Sequence, residues 1–159
     1  MSLDLFSLKG RVALVTGGSR GIGKMIARGF LQSGAKVYIS SRKQAACDAT
    51  AAELSAFGEI VSLPMDVSTV EGAKALAAAL AAREPRLDIL VNNAGAAWLE
   101  PIDVFPEKGW DKVMDLNLKS PFFLTQALLP QLRAAAAGGH VAKVINIASI
   151  DGMRLNPQE

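Results

Sequence analysis

The chain has 159 residues, of which 50% are hydrophobic and 20% charged, with a formal net charge of +2; these values suit one globular domain with a single core and exclude a disordered polymer. The longest apolar stretch, residues 120–132, contains two prolines and is shorter than the roughly 20 residues of a spanning helix, so we expect no membrane partner. The basic residues are dispersed without interleaved aromatics, which argues against nucleic acid, and the single Cys47 shows neither a disulfide partner nor a metal-ligand pattern, which predicts a cytoplasmic protein without a bound metal.

The first predicted strand and helix flank a glycine-rich turn. Residues 12–15 form an uninterrupted apolar run, typical of a buried parallel strand, and apolar residues recur with helical spacing from Ile22 to Phe30. Between them, Thr16 to Gly23 read T-G-G-S-R-G-I-G. Such a turn aims free backbone N–H groups and the positive end of the helix dipole at one point, which suits a pyrophosphate. The alternative is that the glycines only allow a tight turn.

The remaining predicted elements alternate between strands and helices. We predict strands at 36–40, 60–65, 87–91 and 141–147, and helices at 44–57, from 68 to about 83, and from 110 to about 136. Ser68 and Glu71 have the spacing of a capping box at the start of the third helix. This alternation predicts an α/β fold of the Rossmann type, a doubly wound parallel sheet with helices on both faces and a ligand at the carboxyl ends of its strands. We assign residues 1–159 to one such domain.

A basic residue follows the second predicted strand, at the position where NAD-binding folds place an acidic residue. Ser41 and Arg42 occupy the position from which a carboxylate would contact the ribose hydroxyl. Arg42 and Arg20 offer two guanidinium groups to a 2′-phosphate, and charge-assisted bonds of roughly 1.5 to 3 kcal/mol each would favour NADP more than tenfold. Positive charge is concentrated here, since the chain through Lys43 has eight Lys or Arg and one acid. A surface role for each arginine is the alternative.

Polar residues also follow the third and fourth predicted strands. Asp66 is a candidate for contact with an adenine amino group, or for a helix cap. Asn92 and Asn93 begin the run N-N-A-G, in which the two amides either satisfy local backbone groups or contact a cofactor. Asn117 lies in an otherwise apolar predicted helix, where asparagine is a poor helix former and needs a reason.

Taken together, these motifs resemble the short-chain dehydrogenase/reductase family over nearly the whole chain. The glycine turn, D-V at 66–67, N-N-A-G at 92–95, Asn117 in D-L-N-L and Ser149 in I-N-I-A-S-I follow in the family's order and spacing. The chain is most similar to 3-oxoacyl-acyl-carrier-protein reductase-like members. The resemblance implies an NADP(H)-dependent oxidoreductase that reduces a carbonyl by hydride transfer, with a small-molecule or acyl-thioester substrate, in a homotetramer built partly on the helix at Trp110.

The resemblance also implies roles for individual positions. Ser149 would donate a hydrogen bond to the substrate oxygen, and Asn117 would bend its helix and hold a water of the proton relay, so both are catalytic candidates. Asp66 and Val67 would meet the adenine. The implied cofactor-binding residues are Gly17, Gly18, Ser19, Arg20, Gly21, Ile22, Gly23, Ser41, Arg42, Asp66, Val67, Asn93, Ala94 and Gly95.

The family's tyrosine and lysine, in a Y-x-x-x-K run shortly after the serine, do not occur in these 159 residues. The only tyrosine, Tyr38, lies in the second predicted strand, and Lys143 precedes the serine. We therefore expect the sequence to be the amino-terminal portion of a longer enzyme; the alternative is a catalytically silent NADP(H)-binding sensor or regulatory module. We expect His140 at the surface and residues 154–159 in a loop.

Overall fold

The computed structural model describes residues 4–139, 141–150 and 153. His140 and the predicted loop at 154–159 lie outside the described residues. The strands are β1 (Val12–Thr16), β2 (Lys36–Ser40), β3 (Ile60–Ser62), β4 (Ile89–Asn92) and β5 (Lys143–Asn146). The helices are α1 (Gly21–Gln32), α2 (Gln44–Leu54), α3 (Val70–Ala81), α4 (Glu107–Met114) and α5 (Ser120–Ala137). Within these ranges no helix has the length and apolar character needed to cross a membrane.

The five strands form one parallel sheet in the order β3-β2-β1-β4-β5. β1 pairs with β2 from Val12↔Lys36 to Thr16↔Ser40, and on its other side with β4. The direction of winding reverses between β1 and β4, which opens a crevice at the carboxyl ends of these strands. The predicted Rossmann-type fold is therefore confirmed.

The sheet buries apolar side chains on both faces, as the uninterrupted apolar run of β1 predicts. Leu14 lies in one apolar cluster with Leu76 of α3 and Leu124 of α5. Its neighbour Val15 points to the opposite face and clusters with Cys47 of α2. Helices α1 and α2 thus cover one face, and α3 and α5 cover the other.

The third strand is shorter than predicted. β3 pairs with β2 only from Ile60 to Ser62, because Pro64 has no N–H group to continue a regular ladder. The chain nevertheless stays beside β2, since the Leu63 and Met65 N–H groups still donate to backbone carbonyls at 2.8 and 3.1 Å. This path carries residues 65–67 to the carboxyl edge of the sheet.

The cap of α3 is one residue later than predicted. The hydroxyl of Ser68 donates to Asp66 Oδ1 at 2.8 Å, whereas Thr69 Oγ1 accepts the N–H of Gly72 at 3.0 Å and caps the helix. The predicted capping box of Ser68 with Glu71 is wrong. Serine and threonine stand side by side here, and Asp66 engages the serine.

The helix predicted from 110 to 136 is two helices joined by a π-helical turn. α4 ends at Met114, the turn covers Asp115–Lys119, and α5 begins at Ser120. π-Helical turns interrupt the regular hydrogen bonding of an α-helix and are a usual cause of bends. The prediction of one continuous helix is wrong, and the interruption is centred on Asn117.

A polar network joins the carboxyl end of α3 to β2. Tyr38 Oη donates to Glu84 Oε1 at 2.7 Å, and Lys36 Nζ lies 2.6 Å from Glu59 Oε1 and 2.9 Å from Glu84 Oε1. The hydrogen bonds to Glu59 and then Glu84 raise the pKa of Lys36 well above its usual range. Burial, followed by the bond to Glu84, raises the pKa of Tyr38. The single tyrosine is therefore a structural member of the sheet.

Candidate functional site

A cleft of about 790 Å³ opens at the carboxyl edge of the sheet, in the crevice predicted from the strand order. Eleven of the fourteen predicted cofactor-binding residues line it, namely Gly17, Ser19, Arg20, Gly21, Ile22, Ser41, Arg42, Val67, Asn93, Ala94 and Gly95. The sequence prediction missed five further lining residues, which are Ser40, Lys43, Ala46, Met65 and Leu116. The structure thus brings together segments that lie up to about 100 residues apart in the sequence.

The glycines of the turn are required for two different reasons. Gly17 and Gly21 have φ angles of 64° and 54°, a left-handed conformation that side chains rarely adopt. Gly23 allows close packing, because a Cβ there would collide with the Gly17 carbonyl and come within 2.6 Å of the Asn93 amide. A Cβ at Gly18 would likewise come within 2.7 Å of the Ile39 side chain. Gly18 and Gly23 therefore allow the turn to pack closely against its neighbours, and they do not line the cleft.

Thr16 fixes the loop after β4 to the end of β1. Its side chain is buried, and Oγ1 accepts the N–H groups of Asn93 and Ala94, both at 3.0 Å, while the hydroxyl donates to the Val91 carbonyl at 3.3 Å. The Asn93 amide returns a bond to the Thr16 carbonyl at 3.0 Å. The Asn93 side chain therefore bonds to backbone groups at the end of β1 and the start of the glycine turn, which lie 77 and 76 residues earlier in the chain. Ala94 and Gly95 remain on the cleft wall, and the predicted contact of Asn93 with a cofactor stays a prediction.

Asn92 joins three elements next to this loop. Its side chain is 5% exposed, and its Nδ2 donates to Asn146 Oδ1 of β5 at 2.9 Å and to Thr125 Oγ1 of α5 at 3.4 Å. The Asn92 carbonyl also accepts the N–H of Ile147 at 3.0 Å, which continues the pairing beyond β5. The first asparagine of the motif is thus a structural link between the end of β4 and its neighbours.

Asn117 holds the same loop from the other side. Its Oδ1 accepts the N–H of Ala96 and its Nδ2 donates to the Ala96 carbonyl, each at 2.8 Å. One amide side chain therefore pairs with both polar groups of one residue, as a neighbouring strand would. The π-helical turn supplies the backbone position from which the side chain reaches the loop. The predicted role of Asn117 in a water relay stays a prediction.

Three cations line the cleft on the side of α1 and α2. Arg20 precedes the first residue of α1 in an extended conformation, and Arg42 and Lys43 lead into α2. In the described part of the chain no acid lies within salt-bridge distance of any of the three, and the first turn of α1 contains no acid. The field at this wall combines these charges with the positive end of the α1 dipole, so it favours an anionic ligand.

The Asp66 side chain bonds to a residue two positions away, whereas its neighbour Val67 lines the cleft. Asp66 Oδ1 accepts both the N–H and the hydroxyl of Ser68, at 3.0 and 2.8 Å, which closes a turn before α3. Val67 is 4% exposed and lines the cleft. Asp66 is not the cap of α3, because Thr69 has that role, and its predicted contact with adenine stays a prediction.

Ser149 follows β5 by three residues, at the edge of the sheet where the cleft opens, and it is exposed. Parallel pairing of Asn92 with Asn146 aligns the ends of β4 and β5, so the segments after both strands leave the sheet at one edge. Ser149 is not among the residues that line the cleft. Its predicted contact with a substrate oxygen stays a prediction.

Comparison with known proteins connects this geometry to one family. The family model described as short chain dehydrogenase matches residues 11–159. A 3-oxoacyl-acyl-carrier-protein reductase of rhamnolipids biosynthesis from Pseudomonas aeruginosa is 53% identical over 148 residues, which are 93% of this chain and 58% of that protein. The chain therefore spans a little over half the length of this curated relative.

Solved structures agree with the sequence comparison. The Pseudomonas aeruginosa RhlG/NADP active-site complex is 52% identical, with a TM-score of 0.92 over 95% of this chain and 59% of that chain. L-Sorbose reductase from Gluconobacter frateurii, in complex with NADPH and L-sorbose, is 30% identical, with a TM-score of 0.89 over 96% of this chain and 57% of that chain. The parallel sheet, the glycine turn at its switch point and these matches together establish that the chain belongs to the short-chain dehydrogenase family of oxidoreductases.

Proposed function

We propose that the protein is a cytoplasmic NADP(H)-dependent reductase that converts a carbonyl, of the 3-oxoacyl thioester class, into a hydroxyl. The observation that carries the proposal is the wall formed by Arg20, Arg42 and Lys43, three cations without acidic partners among the described residues. NAD-binding folds use an acid at the end of the second strand, whereas a 2′-phosphate needs cations there. The related proteins whose structures were solved in complex with NADP or NADPH give further support.

The residues present fit a dinucleotide. Gly17 and Gly21, both in the left-handed conformation, carry no side chain, so a pyrophosphate has access to backbone N–H groups at the start of α1. Val67 offers an apolar surface to a base, and Ala94 and Gly95 form a wall without bulky side chains. When bound, the nicotinamide would supply the hydride.

Reduction of a carbonyl places negative charge on the substrate oxygen as the hydride arrives. A hydroxyl that donates a hydrogen bond to this oxygen stabilises the charge, and Ser149 is our candidate for the donor. The alkoxide must then receive a proton from a group of matched pKa. Tyr38 does not suit this step, because its hydroxyl is bonded to Glu84 and its pKa is raised. Asn117 has an indirect role, because its side chain holds the loop at Ala96 that continues the cleft wall.

The test is an assay of NADPH oxidation by the intact protein with 3-oxoacyl thioesters, with simple ketones for comparison. We expect turnover with the thioesters, and a fall in kcat of at least about a hundredfold in Ser149→Ala, the usual loss when an oxyanion donor is removed. Ser120→Ala removes a buried serine hydroxyl at the start of α5, at a residue that does not line the cleft, and serves as the control for serine loss. Undiminished kcat in Ser149→Ala contradicts the assignment, and NADPH binding without any turnover supports a sensor instead.

We also propose a homotetramer, supported by large apolar side chains that remain exposed along α4, the π-helical turn and α5. Trp110, Leu118 and Phe122 are 59%, 62% and 62% exposed. Where exposed apolar groups of this size form a continuous patch, they commonly pack against another protein surface. Sedimentation equilibrium of the intact protein should give four times the mass of the protomer. A monomeric mass at micromolar concentration would contradict the proposal.

A further inference from the structure

We propose that Thr50 is a positioning residue for the 2′-phosphate of NADP(H), an inference that rests on the proposed function. Thr50 lies on the buried face of α2 and is 5% exposed. Its Oγ1 donates a hydrogen bond of 2.8 Å to the carbonyl oxygen of Ser19, in the glycine turn. A threonine within a helix commonly donates to a carbonyl of its own helix. Thr50 instead donates to a residue 31 positions earlier in the chain.

The bond controls the peptide that leads into Arg20. A peptide unit is planar, so holding the Ser19 carbonyl also fixes the direction of the Arg20 N–H group. Arg20 has an extended backbone with φ −162° and ψ 171°, and its side chain makes no capping bond to α1. The hydroxyl of Thr50 therefore determines the course of the backbone from which the Arg20 side chain starts.

The same bond reaches from the helix that carries the other two cations. Arg42 and Lys43 immediately precede α2, and Thr50 lies seven residues after Lys43, which is two helical turns along the same face. In the described residues it is the only side-chain hydrogen bond that joins α2 to the turn at 16–23. Thr50 thus sets the position of Arg20 relative to Arg42 and Lys43.

Three cations on one cleft wall are unfavourable without a bound anion, which explains why a hydrogen bond is needed to hold the turn beside α2. Three like charges on one cleft wall repel each other when no anion is bound, and the repulsion favours a turn that has moved away from α2. The partly buried hydrogen bond of Thr50 between the two sides opposes this movement, so the cations already converge when the 2′-phosphate arrives. Preorganisation of this kind increases affinity because binding then requires less reordering. The pyrophosphate, which uses the backbone of the whole turn, should depend less on Thr50.

The experiment is calorimetric titration of the intact protein with NADPH and with NADH. Thr50→Val keeps the size of the side chain and removes the donor. We expect its Kd for NADPH to rise about tenfold, the effect of losing roughly one hydrogen bond, while its Kd for NADH rises less than about threefold. Thr50→Ser keeps the hydroxyl and should retain the preference of the wild type for NADPH.

Glu53→Gln is the matched control, because it removes the exposed ion pair of Glu53 with Lys24 (2.6 Å) that also joins α2 to α1. It should leave both affinities unchanged. If the ratio of the Kd values for NADH and NADPH is the same in Thr50→Val as in the wild type, the inference is overturned and the proposed function is left intact. This holds whether both affinities are unchanged or both fall by the same factor. Wild type that binds no NADPH would overturn both. If Thr50→Val is too unstable to titrate, Thr50→Ala removes the same donor, and its affinity ratio decides.

Discussion

Replacing Thr16 by valine removes the hydroxyl that connects the end of β1 to the loop after β4. The side chain is 2% exposed, and valine fills nearly the same volume. The change leaves the N–H groups of Asn93 and Ala94 without their acceptor and the Val91 carbonyl without one donor. A buried polar group without a partner costs about 1 to 3 kcal/mol. Because Asn93 and Ala94 are half-buried, we take the lower value for each N–H and predict a loss of about 2 kcal/mol in the free energy of unfolding.

The assay is equilibrium unfolding of the intact protein in urea, at one fixed protein concentration so that assembly does not shift the midpoint. Thr16→Ser keeps the oxygen and should lose less than half as much stability as Thr16→Val. NADPH affinity should fall in the valine variant as well, because Asn93, Ala94 and Gly95 line the cleft. A loss below about 0.5 kcal/mol in Thr16→Val, the usual range of a neutral surface change, would refute this reasoning.

Three further predictions concern other parts of the fold. Gly23→Ala should abolish NADPH binding measured by calorimetry, because its Cβ would collide with the carbonyl of Gly17 and open the turn. Asn117→Ala should lower kcat in the reductase assay by about tenfold while changing Kd for NADPH less, since the loop at Ala96 loses two hydrogen bonds that position it. The pKa of Lys36 is higher in the folded protein than in the unfolded chain, so its contribution to stability is complete below the unfolded value of about 10.4 and is lost as pH rises above it. Urea unfolding should therefore show no change due to Lys36 from pH 8 to about 9.5, and falling stability from there to about 11.

Each of these predictions has a control. Gly29→Ala is a suitable comparison for Gly23→Ala, because a Cβ at Gly29 meets no atom within 4 Å, and it should bind NADPH normally. Asn117→Asp keeps one acceptor for the Ala96 N–H and should fall between alanine and the wild type. Lys36→Met should reduce the alkaline fall in stability to the share of Tyr38, whose raised pKa gives a fall of the same sign; an unchanged slope in that variant would show that Lys36 does not contribute to the fall.

The sheet was predictable because its strands carry unambiguous patterns. The apolar run at 12–15 and the segment K-V-Y-I-S at 36–40 indicate strands, and both lie within one residue of β1 and β2 as observed. The short β3 was harder, since Pro64 removes an N–H donor but does not turn the chain away from β2. Hydrogen bonds of Leu63 and Met65 outside the regular ladder are a tertiary effect that no local pattern reveals.

The site was predictable to the extent that it is built from backbone. The turn at Thr16 to Gly23 and the loop at 92–95 are recognisable because glycines and short polar residues are needed where strands end. The partners of Asn93 and Asn117 were not predictable, because each amide bonds with backbone of a distant segment. Lys43 was missed because the sequence does not reveal that the residue before α2 faces the same cleft as Arg42.

The direct measurement of the central claim is the affinity of the intact protein for NADPH and NADH before and after removal of Arg42. We predict that the wild type binds NADPH at least about tenfold more tightly than NADH, because charge-assisted bonds contribute about 1.5 to 3 kcal/mol each. Arg42→Ala should remove most of this preference and leave the affinity for NADH unchanged. Equal affinity of the wild type for both dinucleotides, or an undiminished preference in Arg42→Ala, would contradict the account.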